Sequence, residues 1–146
     1  MLLLEHLEEE SPALRRLNVL EYGEQLKREY PTSTYAKFAA LHMAKEYVQA
    51  GQREDAEEQL RWIINSSSTN EELRDLASIR LGRLLAHAGN VDEGLTFIDK
   101  ASEGVFKSIG LAARADVLWS GGQREDALAA YNRALEESAG LVLLPG

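Results

Sequence analysis

At 146 residues, 45% of them apolar and 27% charged, the chain is long enough for one domain with a sizeable core and has the balance of a globular protein. Its 24 acidic and 16 basic residues leave a net charge of −8, which argues against nucleic-acid binding, because phosphate backbones are held by clustered lysine and arginine. The absence of cysteine excludes a disulfide framework, a zinc–thiolate site and a thiol nucleophile, and no run approaches the roughly 18 apolar residues that a membrane span requires.

The opening Met1-Leu2-Leu3-Leu4 is too short for a signal peptide, and Glu5, Glu8, Glu9 and Glu10 give its flank the wrong charge. Residues 1–10 are therefore expected to be disordered or cloning-derived, and the chain as given to be soluble. Ser11-Pro12 starts the first helix, with Ser as N-cap and Pro in the first turn. Leu14, Leu17, Leu20 and Leu26 recur at helical spacing and predict an amphipathic helix over 12–29. Pro31 stops it by disfavouring helical geometry at Tyr30. Ser33 or Thr34 caps a second helix to about Ala50, where Gly51 ends it in a left-handed conformation. A third helix spans about 54–65, with Ala56, Leu60, Ile63 and Ile64 inward. Ser66 to Asn70 is the clearest loop, and Thr69 with Glu72 reads as a capping box. Helices over 71–88, 92–103, 106–120 and 124–138 complete a domain of residues 11–139. The tail, 140–146, is apolar, expected to cover the last hairpin or to contact another chain. The fold class is all-α.

The hexapeptide Gly-Gln-Arg-Glu-Asp-Ala occurs at 51–56 and again at 122–127, with a degenerate copy, Gly-Asn-Val-Asp-Glu-Gly, at 89–94. The three turns begin 38 and then 33 residues apart, close to the roughly 34-residue period of tetratricopeptide (TPR) arrays. In register, Ala44, Gly82 and Ala115 fall where the first helix of each hairpin crosses the second, and Ala56, Gly94 and Ala127 face them. A larger side chain at either point would push the helices beyond their usual spacing. Large packing residues recur beside them: Met43, Tyr47 and Leu60, then Leu81, Leu85 and Ile98, then Leu118 and Tyr131. The chain departs from the full pattern where a closing proline is usual, with Ser68, Phe106 and Ala139 there instead. Arg114 also replaces an apolar residue, which predicts irregular packing angles. The expected architecture is a TPR-like right-handed solenoid of antiparallel helix hairpins, about three repeats plus an N-terminal helix.

Three segments carry a narrower likeness: residues 34–48 (TYAKFAALHMAKEYV), 73–85 (LRDLASIRLGRLL) and 113–131 (ARADVLWSGGQREDALAAY). In this order and spacing they resemble the YfgM-type TPR proteins of Gram-negative bacteria, over roughly residues 15–138. The resemblance implies a periplasmic TPR domain, normally anchored by one N-terminal transmembrane helix that does not precede Leu14 here. It implies an ancillary subunit of the SecYEG translocon at the periplasmic face of the inner membrane, associated with a PpiD-like chaperone and assisting exported chains. The alternatives are a soluble or lipid-anchored TPR scaffold of envelope assembly, or a homo-oligomeric structural protein, such as a homodimer joined through the tail.

No residue pattern points to catalysis, a cofactor or a metal. His6, His42 and His87 lie far apart without metal-ligand spacing. The acidic pairs after each turn suit the positive end of a helix without any chemistry. Ser66 to Ser68 lack a base to activate a nucleophile, and Gly121-Gly122 lacks the residues of a phosphate loop. Trp62 and Trp119 read as core or groove aromatics. What remains is a surface. In a TPR stack the first helices line the concave face, and the repeat alignment projects Lys45, Gln49, Arg83, His87, Asp116 and Trp119 onto it. These residues predict a groove with a cationic middle and an aromatic edge, suited to an extended or helical peptide of some acidic character.

Overall fold

A computed structural model describes residues 11–101 and 103–143, with side chains as far as Ala139. Among these residues seven helices follow one another: α1 (Pro12–Glu29), α2 (Thr34–Gln49), α3 (Arg53–Asn65), α4 (Glu71–His87), α5 (Val91–Asp99), α6 (Lys107–Ser120) and α7 (Arg124–Leu143). Each packs on its chain neighbours, and α4 also touches α6. The all-α, TPR-like reading holds, with α2–α3, α4–α5 and α6–α7 as the three hairpins.

The hairpin turns share one chemistry. Gly51, Gly89 and Gly122 have φ of 77°, 102° and 84°, a left-handed conformation that a Cβ penalises. At each turn the next amide reaches back to a helical carbonyl: Gln52 to Tyr47 (2.8 Å), Asn90 to Leu85 (2.9 Å) and Gln123 to Leu118 (2.9 Å). That closes the helix end with a Schellman bond. A Cβ built on Gly89 would meet nothing within 4 Å, so the cost of alanine there is backbone strain alone. Gly89→Ala is expected to destabilise the domain by about 1 kcal/mol in urea unfolding, with no change in fold.

The crossing points are as small as the register requires. Ala44, Ala56, Ala115 and Ala127 are buried at the first and third crossings. At the second, Gly82 and Gly94 let the two backbones touch: a Cβ on Gly94 would lie 2.5 Å from the Gly82 carbonyl oxygen. Around these points the apolar residues form a core that passes from repeat to repeat. Leu41, Leu60, Ile63, Leu73 and Leu81 fill the α2–α3–α4 layer, Ile79, Ile98 and Val117 the α4–α5–α6 layer, and Leu118, Ala127 and Ala130 the last hairpin.

Ser11 and Ser33 cap α1 and α2 as expected, their hydroxyls accepting from Leu14 and Ala36 amides at 3.1 Å. Four local expectations are corrected. On α1, Leu14 and Leu17 stay 50% and 57% exposed, and the buried contact is Gly23, whose missing Cβ leaves room for the Met43 side chain. At the end of the stack α1 packs mainly on α2 and reaches α3 through Lys27, so part of its apolar row stays uncovered. The cap of α4 is Asn70, which accepts from the Leu73 amide at 2.8 Å. Thr69 is instead buried and donates to the Ile63 carbonyl at 2.6 Å. The α5 helix stops at Asp99, where the turn brings fully buried Ala101 onto the core. Finally, α7 continues through Gly140 to Leu143; the predicted roles of the 140–146 side chains, and of residues 1–10 with His6, fall outside the described residues.

Several polar residues do structural work that their type does not announce. Arg74 gathers the carbonyls of Ile64, Ser66 and Thr69 at 3.0–3.2 Å and so fixes the long loop. Arg114 pairs with both oxygens of Asp99 at 2.9 and 2.8 Å, an ion pair between α5 and α6 where the repeat would place an apolar contact. Asp75 is half-buried beside the α5–α6 loop, and burial, then the charges of Glu71 and Glu72, push its carboxyl above the ordinary carboxylate range. The ionised form is therefore disfavoured on folding, a penalty fully present above the raised folded pKa and gone below the ordinary value of 3.8. Asp75→Asn is expected to raise the melting temperature at neutral pH, with the gain vanishing as the pH drops below 3.8.

Candidate functional site

The α2 and α4 helices make no close packing comparable to that of α4 on α6, and a groove of about 790 Å³ opens into the gap. Its walls come from the first helices of all three hairpins. Lys45, Val48 and Gln49 stand on α2, Arg80, Arg83, Leu84 and His87 on α4, and Asp116, Val117 and Ser120 on α6. Leu60 of α3 and Val91 of α5 reach the floor, so the bottom is apolar and the rim polar.

Five of the six residues projected from the repeat thus share this concavity: Lys45, Gln49, Arg83, His87 and Asp116. Trp119 does not line it. It is 45% exposed and carries the Arg124 guanidinium over its ring at 5.3 Å. The reason is register. Gln49 and His87 each lie four residues after Lys45 and Arg83, and four after Asp116 is Ser120. Trp119 sits one residue earlier, turned about 100° around the helix from that wall. Ser120 could have been read from the same spacing, and Arg80, one turn before Arg83, shares that residue's face.

Charge is distributed unevenly. In a chain of net charge −8, this groove carries Lys45, Arg80 and Arg83 against one carboxylate, Asp116. The expected cationic middle is partly neutralised, because Arg83 Nη1 pairs with Asp116 Oδ2 at 2.9 Å. The other oxygen of Asp116 accepts the hydroxyl of Tyr131 from α7. That bond first, then burial and the carboxylate's charge, push the Tyr131 hydroxyl above its ordinary value, so it stays a donor at neutral pH. Among the described residues Lys45 and Arg80 have no ion-pair partner. The second helices α3 and α5 are net acidic, with Glu54, Asp55, Glu57 and Glu58 on α3 and Asp92 and Glu93 on α5, of which Glu57 and Glu93 pair with Arg53 and Arg61. Also among the described residues, no three His, Asp or Glu side chains gather as metal ligands would, and no helix is long and apolar enough to cross a membrane. What the groove offers chemically is apolar contact below and cation–carboxylate pairing at the rim.

Comparison with known proteins places these features in a family. A family model described as a tetratricopeptide repeat-like domain matches residues 3–142. The chain is also similar to an ancillary SecYEG translocon subunit of Neisseria gonorrhoeae, 29% identical over 113 residues. That alignment covers 77% of this chain and 54% of the relative, so the chain spans about half the relative's length. Both findings agree with the YfgM-type resemblance carried by the three sequence segments.

Proposed function

Because the chain belongs to the tetratricopeptide repeat-like domain family, we propose that it is a non-enzymatic protein-interaction module whose groove receives segments of protein partners. The observation that carries the reading is the basic, apolar-floored groove built by three successive first helices of an acidic chain. A volume of about 790 Å³ takes a few side chains of a peptide, and charge complementarity selects a segment mixing apolar and acidic residues. The similarity to a translocon subunit supplies the setting. In that setting the module sits at the periplasmic face of the inner membrane, tethers a PpiD-like chaperone to SecYEG, and assists chains as they emerge.

The test is crosslinking in envelope membranes from photoreactive residues placed at Lys45 or Arg80, with Glu57 and Glu125 as positions away from the groove. Adducts with translocon or chaperone subunits are expected from the groove positions and not from the acidic ones. Charge reversal by Lys45→Glu with Arg80→Glu is expected to reduce those adducts at least about fivefold, the equivalent of roughly 1 kcal/mol of pairing. Equal crosslinking from both faces, or adducts insensitive to the reversal, would refute the assignment.

A further inference from the structure

The groove's lone carboxylate is in an unusual position for a residue that merely decorates a wall. Asp116 stands between two donors, Arg83 on α4 and Tyr131 on α7, with one oxygen committed to each. Arg83 and Asp116 are both nearly half exposed, so their pair is open to exchange with groups arriving from outside. Tyr131 holds Asp116 from the other side and keeps its proton at neutral pH. A carboxylate that let go of Arg83 would therefore still be held.

We propose that Asp116 is a built-in competitor: its carboxylate occupies on Arg83 the place that an aspartate or glutamate of a bound segment takes. Binding is then an exchange. The incoming carboxylate takes over the Arg83 guanidinium, Asp116 swings onto Tyr131 alone, and Lys45 and Arg80 screen the two negative charges now in the groove. One ion pair is lost for each gained, so the exchange itself adds little affinity or residence time, and the preference for an acidic over a basic segment comes from Lys45 and Arg80. The residue thus sets a weak, quickly reversed grip on acidic segments, as a site handling many passing chains would need. This inference rests on the groove being the binding surface.

The test uses the whole chain and a labelled short peptide of alternating leucine and glutamate, with a leucine–lysine peptide as its counterpart, followed by fluorescence anisotropy. Asp116→Asn is expected to bind the acidic peptide about two- to fivefold more tightly than the parent, the range of an exposed ion pair, mainly through slower dissociation. Tyr131→Phe is expected to act in the opposite direction, weakening binding about twofold, because displaced Asp116 has lost its second donor. A purely structural role for the triad would move both variants the same way, and thermal unfolding of each verifies that it is folded. Opposite shifts support the exchange. If the parent prefers the acidic peptide while Asp116→Asn is no tighter, the exchange is wrong and the groove stands. If neither the parent nor Asp116→Asn binds either peptide, both fall.

Discussion

Replacing Gly82 by valine is expected to lower the unfolding temperature by roughly 10 °C. A Cβ at this position would fall on the Gly94 carbonyl oxygen and 2.6 Å from Ile98 Cγ1, so the intruding atom meets backbone as well as a flexible side chain. The facing helix cannot step aside without parting Ile98 from the core it shares with Ile79 and Val117. Overpacking of this kind costs about 3 kcal/mol, and in a domain of this size each kcal/mol shifts the midpoint by about 2–4 °C. Gly82→Ala makes the same clash with one carbon, and alanine's helix preference returns about 1 kcal/mol, so its net loss is smaller. Gly121→Ala is the control: φ is −83° and the nearest atoms are 3.5 and 3.6 Å away, so it is expected to stay within about 0.5 kcal/mol of the parent. Calorimetry or thermal circular dichroism on the three variants decides the matter, and a Gly82→Val protein that melts with the parent would contradict the crossing geometry.

The second large effect is expected at Lys37. This lysine is 1% exposed on α2; its ammonium donates to the Pro31 carbonyl and, at 2.9 Å, to Ser68 Oγ, and lies 4.5 Å from the centre of the Trp62 ring. Lys27 approaches that ring at 4.8 Å while donating to buried Gln59 at 2.8 Å, so two ammonium groups lie against the indole. Lys37→Ala removes the side chain's packing, both hydrogen bonds and one cation–π contact, and is expected to cost about 2–4 kcal/mol in urea unfolding. Lys37→Met keeps most of the volume against Trp62, and the freed acceptors belong to exposed residues that water can reach, so its loss should be under about 1.5 kcal/mol. Burial holds the Lys37 pKa below its ordinary 10.5, which disfavours the charged form in the fold. The unfolded chain then binds more protons between the lowered folded pKa and 10.5, and stability rises with pH across that window. Against Lys37→Met, which keeps every other ionisable residue of the parent, the parent is expected to gain stability as the pH climbs toward 10.5. A constant difference between the two would show that the ammonium carries no desolvation cost.

The repeat was legible because its signals are redundant. Each turn glycine, each acidic pair and each small crossing residue recurs in register, so three weak cues coincide at Gly51, Gly89 and Gly122. Most of the groove wall followed from the same register, since a helix face is fixed once its hairpin partner is known. Where a cue stood alone it misled. Apolar spacing in α1 announced a helix but could not tell that Leu14 and Leu17 would stay about half exposed, and Thr69 lost the cap to a neighbour equally able to form it. Trp119, projected onto the wall with the other five from the repeat alignment, lies one residue before the position that the register of Gln49 and His87 picks out. Lys37 and Arg74 were invisible for a different reason: their type reads as surface, and their acceptors come from distant backbone and loop atoms, Pro31 and Ser68 for Lys37 and Ile64, Ser66 and Thr69 for Arg74, that only the fold brings to them.

The wall of the groove is assembled from α2, α4 and α6, segments that are synthesised at different times. Helical hairpins rich in short-range contacts form quickly, and synthesis presents the N-terminal ones first. The first hairpin can close as soon as Leu60 and Ile63 are free to pack, and the second can dock on it through Leu73 and Leu81. Arg83 has no Asp116 to pair with until the third hairpin has arrived. A partly made chain therefore lacks one wall of the groove, and the same hairpin that finishes the architecture supplies it.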